Sequence, residues 1–243
     1  MTKFIKQVTL TGADDSVSQS DLFAISEEFP FVEWGILLSK NSEGDPRFPS
    51  EAWLSKFVLG KPDSVHASGH LCGTWVRDLV MGGTQFLHDR SWSTHAFERF
   101  QINFHAQPHM MGAYEDRMVM GLSALAAIQG QHVIFQMDGV NELLYRIAKR
   151  HRGDRVAPLF DQSGGTGVLP GVWPDPIAPY CGYAGGLAPW NLKEQLALIE
   201  KRVGDKTIWI DAETHLRTHL NTQFSLEECR RFLEIAKEYV IDG

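Results

Sequence analysis

The 243-residue chain has no apolar run long enough to span a membrane, no basic stripe and no polybasic segment beside an amphipathic helix. The first absence excludes a membrane-spanning helix. The second, with a formal net charge of −7 and a pI near 5.8, argues against a nucleic-acid partner or a membrane surface. Only three cysteines are present, Cys72, Cys181 and Cys229, an odd number without the spacing of a metal site. They read as free thiols in a reduced, cytoplasmic protein. The amino-terminal Met1-Thr2-Lys3-Phe4-Ile5 runs straight into a strand-like stretch and does not read as a signal peptide. A glycine-rich dinucleotide turn is also missing after the first strand, where Thr11-Gly12-Ala13-Asp14-Asp15 stands instead.

What is present is one unit repeated. Apolar or β-branched runs alternate with helical patterns, without a composition break. The expected strands are 5–11, 31–38, 64–70, 100–105, 132–137, 156–160, 180–184 and 207–211. Helices are expected at 20–28, from Ser50, over GTWVRDLVMG, at 118–128, from Asn141, from Pro189, and at 225–240, where Ser225 and Glu228 form a capping box. Between strands six and seven the stretch 168–179 holds four prolines, so this crossover is expected to be mostly loop. Hydrophobic residues make up 43% of the chain, enough for a sizeable core. Eight strand–helix units point to a parallel sheet closed into a single (β/α)8 TIM barrel spanning residues 1–243. An open doubly wound sheet is the rival architecture.

In such a barrel the chemistry sits at the carboxyl ends of the strands. That rule selects Thr11 and Asp14, Ser39 and Arg47, His70 and Cys72, His105, Gln136 and Asp138, Asp161, Tyr183, and Asp211 and Glu213. The sharpest motif is Leu159-Phe160-Asp161-Gln162-Ser163-Gly164-Gly165-Thr166-Gly167. It offers a carboxyl group at the mouth followed by a glycine loop (Gly164, Gly165, Gly167) able to close over a substrate; an Asp turn before a flexible loop is the plainer alternative. Gly185 and Gly186, in Tyr183-Ala184-Gly185-Gly186-Leu187-Ala188-Pro189, lead into a helix start and could bind an anion through backbone N–H groups. After strand eight, Asp211, Glu213 and Arg217 concentrate charge at the same rim, where Arg217 could clamp a phosphate or carboxylate.

These motifs together resemble the phosphoribosylanthranilate isomerase family of tryptophan biosynthesis. Its strand-six Asp followed by Gly-Gly-Ser/Thr-Gly is matched by LFDQSGGTG, and its Gly-Gly-Leu-x-Pro-x-Asn by residues 185–191. Its Arg-x-Ile-Ser after strand two is matched by Arg47-Phe48-Pro49-Ser50. The resemblance implies a small phosphorylated sugar substrate and an Amadori rearrangement without cofactor or metal. It implies Asp161 as general acid, Arg47 as the carboxylate clamp and Gly185 with Gly186 as the phosphate cradle. The family's basic Cys on strand one is replaced by Thr11, whose hydroxyl is too weak a base to act unaided. Asp14, His70, Cys72 and His105 are the candidates to take over that role. The family's Ser-Ser-Gly after strand eight is replaced by Ala212-Glu213-Thr214, and a loop Lys by Val168.

Two rival readings follow from the same residues. One is a divalent-metal barrel using His70, His105, Asp161 and Asp211 or Glu213. The other is a degenerate barrel that binds a phosphorylated ligand without turnover. No Lys stands at the carboxyl end of an expected strand, which disfavours a Schiff-base aldolase. The assembly is expected to be a monomer or homodimer.

Overall fold

Strands that are covered on both faces are buried along their whole length, and the second strand, Val32–Leu38, is the clearest case: all seven residues of VEWGILL are buried, Glu33 among them. A computed structural model describes residues 2–90, 92–103, 117, 120, 121, 132–137, 142–218 and 222–242. Its eight strands are β1 (Ile5–Thr11), β2 (Val32–Leu38), β3 (His66–Leu71), β4 (Arg99–Ile102), β5 (His132–Met137), β6 (Val156–Phe160), β7 (Cys181–Ala184) and β8 (Ile208–Ala212). They pair in parallel and in sequence order, and β8 closes on β1. The fold is the expected (β/α)8 barrel.

Around it lie α1 (Gln19–Glu28), α2 (Glu51–Gly60), α3 (Gly73–Val80), α4 (Gln85–Asp89), α5 (Glu142–Arg152), α6 (Leu192–Val203) and α7 (Leu226–Ala236). Caps set their starts. Ser18, Ser50 and Ser225 accept hydrogen bonds from the backbone N–H groups of Asp21, Trp53 and Glu228. The helix expected from Pro189 begins only at Leu192. The Asn191 side chain accepts from Ala188 N and donates to Gly186 O, so it holds the preceding turn in place of a helical ladder. The last helix ends at Ala236 and tightens into a 3-10 turn over Lys237–Tyr239. No helix intervenes between β6 and β7, as the four prolines predict. The helix expected over 118–128 and the candidates His105 and Asp138 lie outside the described residues, apart from Met120 and Gly121, which are helical.

The barrel interior is partly polar. Near its amino-terminal end Glu33 is completely buried and takes hydrogen bonds from Thr9, Gln7 and Arg99. One layer up, Gly35 makes room for two side chains. A β-carbon there would collide with Thr11 Oγ1 and come within 2.9 Å of the His70 ring. No helix among the described residues is long and apolar enough to cross a membrane.

Candidate active site

The carboxyl ends of the strands surround a cavity of about 340 Å³, at the small end of ligand pockets. Its wall includes Arg47, Cys72, Gln101, Asn103, Gln136, Asp161, Asp211 and Glu213, together with Gly164, Gly165, Gly167, Gly185 and Gly186. Of the residues selected at the strand ends, Arg47, Cys72, Gln136, Asp161, Asp211 and Glu213 lie in this wall. Thr11, Asp14 and His70 are not among the side chains that line it.

Asp161 ends β6 just past its last residue, Phe160, and each of its oxygens is engaged. Ser163 donates to Oδ1 through its backbone N–H (3.0 Å) and hydroxyl (2.7 Å), and Gln136 Nε2 donates to Oδ2 at 2.8 Å. The β6 and β7 motifs lie side by side: a β-carbon on Gly185 would sit 3.5 Å from Asp161 Oδ1. Asp211 belongs to β8 and is buried, with Thr11 Oγ1 donating to its Oδ1 at 2.8 Å. Burial drives its pKa well above the ordinary 3.8; the Thr11 hydrogen bond opposes this, and the nearby charges of Glu213, Asp161 and Glu33 add to the rise.

Glu213 follows β8 and pairs with Arg47 Nη1 at 2.7 Å. Burial also raises its pKa, Arg47 works against the rise, and Asp161 adds to it. Arg47 has a left-handed backbone, φ 79, alone among the described non-glycine residues. The cost of that conformation, about 1–3 kcal/mol, is offset locally. Asp14 Oδ2 accepts the Arg47 backbone N–H at 2.7 Å.

Asp14 thus has a positioning role. It also accepts from Ser16 and from Arg217 Nη2 at 2.7 Å. Burial alone would raise its pKa, but the hydrogen bonds from Ser16, Arg47 and Arg217 outweigh it and hold the carboxyl below its usual range. Arg217 does not line the cavity; it donates to Gly12 O and Asp14. Cys72 lines it, but burial pushes its thiol up to about 12, so a thiolate base is unavailable near neutral pH. His70 is sealed inside the barrel beside Ser68, and burial lowers its pKa to about 3. Tyr183 packs against Phe160 and Trp173, with its hydroxyl donating to Pro174 O. Among the described residues no three His, Cys, Asp or Glu side chains are grouped to hold a metal ion.

The sequence reading missed Gln101, Asn103 and Ser163. Gln101 and Asn103 alternate in Phe100-Gln101-Ile102-Asn103, the period-2 pattern of a strand with one polar face. That alternation was the available signal. Gln101 Nε2 donates to Asn103 Oδ1, and Asn103 Nδ2 to Cys72 Sγ.

The loop after β6 lies on Gly186, whose φ is 67. A β-carbon there would come 2.5 Å from Leu169 N and 2.8 Å from Val168 C. Gly186→Ala is therefore expected to destabilise the protein by about 1–3 kcal/mol, read as a lower melting temperature. An unchanged melt would mean that the loop does not rest on this glycine.

The fold and the arrangement of the mouth define a (β/α)8 barrel with its polar cavity at the carboxyl ends of the strands. Among solved structures, the barrel is similar to phosphoribosyl anthranilate isomerase from Thermotoga maritima, with a TM-score of 0.60 and 13% identity over 98% of this chain and 100% of that one. The same enzyme from Thermus thermophilus gives a TM-score of 0.60 and 15% identity over 96% and 98%. TrpF from Jonesia denitrificans gives 0.59 and 12% over 96% and 97%. At these identities the likeness is one of fold. No protein-family model matches the chain, and no curated protein matches it in sequence.

Proposed function

We propose that the cavity is the active site of an acid–base isomerase acting on a small sugar-type substrate, with Asp161 and Asp211 as the proton-transfer pair. The observation that carries this reading is the presence of two carboxyl groups on one cavity wall in opposite surroundings. Among the described residues Asp161 accepts three hydrogen bonds, the acceptor-only pattern of a carboxylate, whereas Asp211 accepts one, from Thr11, in a buried place. Burial favours the neutral acid at Asp211. Unequal surroundings of this kind divide acid from base.

The resemblance implies Asp161 as the acid; the surroundings favour the reverse division. Asp211 gives its proton to the ring oxygen as the sugar opens. Asp161 takes the proton from the carbon beside the anomeric centre and returns it to the anomeric carbon. Asp211 is reprotonated from the enol hydroxyl, so the protons balance and an aldose-type substrate becomes a ketose-type product. No redox step arises, and the reading calls for no cofactor. Thr11 then serves as a positioning residue that orients Asp211. The three free cysteines fit a protein of the reducing cytoplasm.

The test is solvent exchange. In deuterated water the wild-type protein should introduce deuterium next to the carbonyl carbon of at least one member of a panel of pentoses, hexoses and glycosylamines, phosphorylated and not. Asp161→Asn should slow that exchange by about 10²–10⁴-fold. Full exchange by the Asn variant would remove Asp161 from the mechanism.

A further inference from the structure

The geometry points to an unphosphorylated, donor-rich substrate, a neutral or amine-bearing sugar, with Glu213 standing as a built-in anion where an anionic group of a substrate would otherwise meet Arg47. The inference rests on the acid–base reading of this cavity and names its substrate class.

The charge of the wall comes first. Among the described residues three carboxyl groups line the cavity, Asp161, Asp211 and Glu213, and the one guanidinium, Arg47, is already held by Glu213 at 2.7 Å. A phosphate dianion placed there would face like charges with its cation already taken.

The loop after β6 packs against the paired glycines, which still line the cavity. The Val168–Leu169 backbone lies against Gly186, within 2.5 Å of where a β-carbon would stand. On the opposite rim Gly165 turns its carbonyl oxygen to Thr214 Oγ1 (2.8 Å) and Arg47 Nη1 (3.4 Å). The cavity's 340 Å³ suits a ligand of modest size.

The hydrogen-bonding character of the wall is independent of these points. Gln101 lines the cavity, is 5% exposed, and its Oε1 accepts no hydrogen bond among the described residues. The carboxyl oxygens of Asp161, Asp211 and Glu213 add acceptors to the wall. Hydroxyl and amine groups supply the matching donors, whereas a phosphate brings acceptors alone.

Equilibrium binding tests the inference without requiring turnover. Wild-type protein and Glu213→Gln are titrated with inorganic phosphate, ribose 5-phosphate, ribose and glucosamine at matched ionic strength, with affinity read from the shift in melting temperature. Two results are expected together. The wild type binds ribose or glucosamine at least tenfold more tightly than inorganic phosphate or ribose 5-phosphate. Glu213→Gln, with Arg47 released from its ion pair, binds inorganic phosphate at least tenfold more tightly than the wild type does. Failure of either result overturns the proposal. If deuterium exchange is absent while both binding results hold, the isomerase reading falls and the substrate class stands. Exchange with a phosphate preference gives the converse.

Discussion

Asp211→Asn is expected to make the protein more heat-stable and to slow its turnover by orders of magnitude. The folded-state pKa of Asp211 is raised well above the ordinary 3.8. Between these two values the native state holds a proton that the unfolded chain has lost. Stability therefore falls as pH rises through that window, and above it the folded protein carries a buried charge. An Asn keeps an oxygen to accept from Thr11 and never ionises. The gain should be about 1–2 kcal/mol above the window, or roughly 3–6 °C for a chain of this size. It should vanish below about pH 4, where both states of the wild type are protonated. Turnover should fall by about 10²–10⁴-fold. In the wild type, kcat/KM should decline as pH rises through the Asp211 ionisation, because the proton donor is lost. Thermal melts across pH check the first part and rate–pH profiles the second. A lower melting temperature for the variant at pH 8 would mean that the Asp211 charge is supported by its surroundings, and its role as donor would fall with it.

Arg99→Met is the second large effect, and it belongs to the opposite end of the barrel. Arg99 opens β4 and grips Glu33 on β2 through Nε at 2.9 Å and Nη2 at 2.5 Å, with its guanidinium 4.7 Å from the Trp209 ring. Burial alone would raise the pKa of Glu33, but the Arg99 charge and the hydrogen bonds from Arg99 and Thr9 outweigh it and hold it low. Removing the guanidinium strands a carboxylate in the barrel interior, at a cost of about 3–5 kcal/mol. Urea denaturation followed by tryptophan fluorescence reads the loss. Adding Glu33→Leu should recover much of it, since an apolar pair does not leave a lone charge behind. The intact pair contributes stability above the unfolded pKa of Glu33, near 4.5, and loses it as pH falls through the lowered folded value. A double variant as weak as the single one would show that the loss comes from packing of the arginine stem and not from charge.

The two positions differ in how far the sequence exposes them. Glu33 interrupts Phe-Val-Glu-Trp-Gly-Ile-Leu-Leu, and a lone charge inside a buried strand calls for a partner. The partner itself is not legible, because β2 and β4 come within reach only by pairing on either side of β3. The strand–helix alternation made the fold readable because each unit declares itself locally. Asp161, Arg47, Gly185 and Gly186 were readable because strand-end residues must face the mouth. Asp14 fits that rule and still fails to reach the cavity wall, because Arg217, distant in sequence, and the left-handed turn at Arg47 claim its carboxyl group. The position of Asp211 in the eighth strand was legible, but its environment arises from strands β1, β6 and β8 together, which no local pattern encodes.

Arg47 has one more consequence. Its backbone is pinned to the loop after β1 through Asp14, and its guanidinium spans to Gly165 after β6 and Glu213 after β8. Four segments that meet nowhere else in sequence thus share a single latch. A change at any one of these contacts therefore bears on all four segments of the mouth.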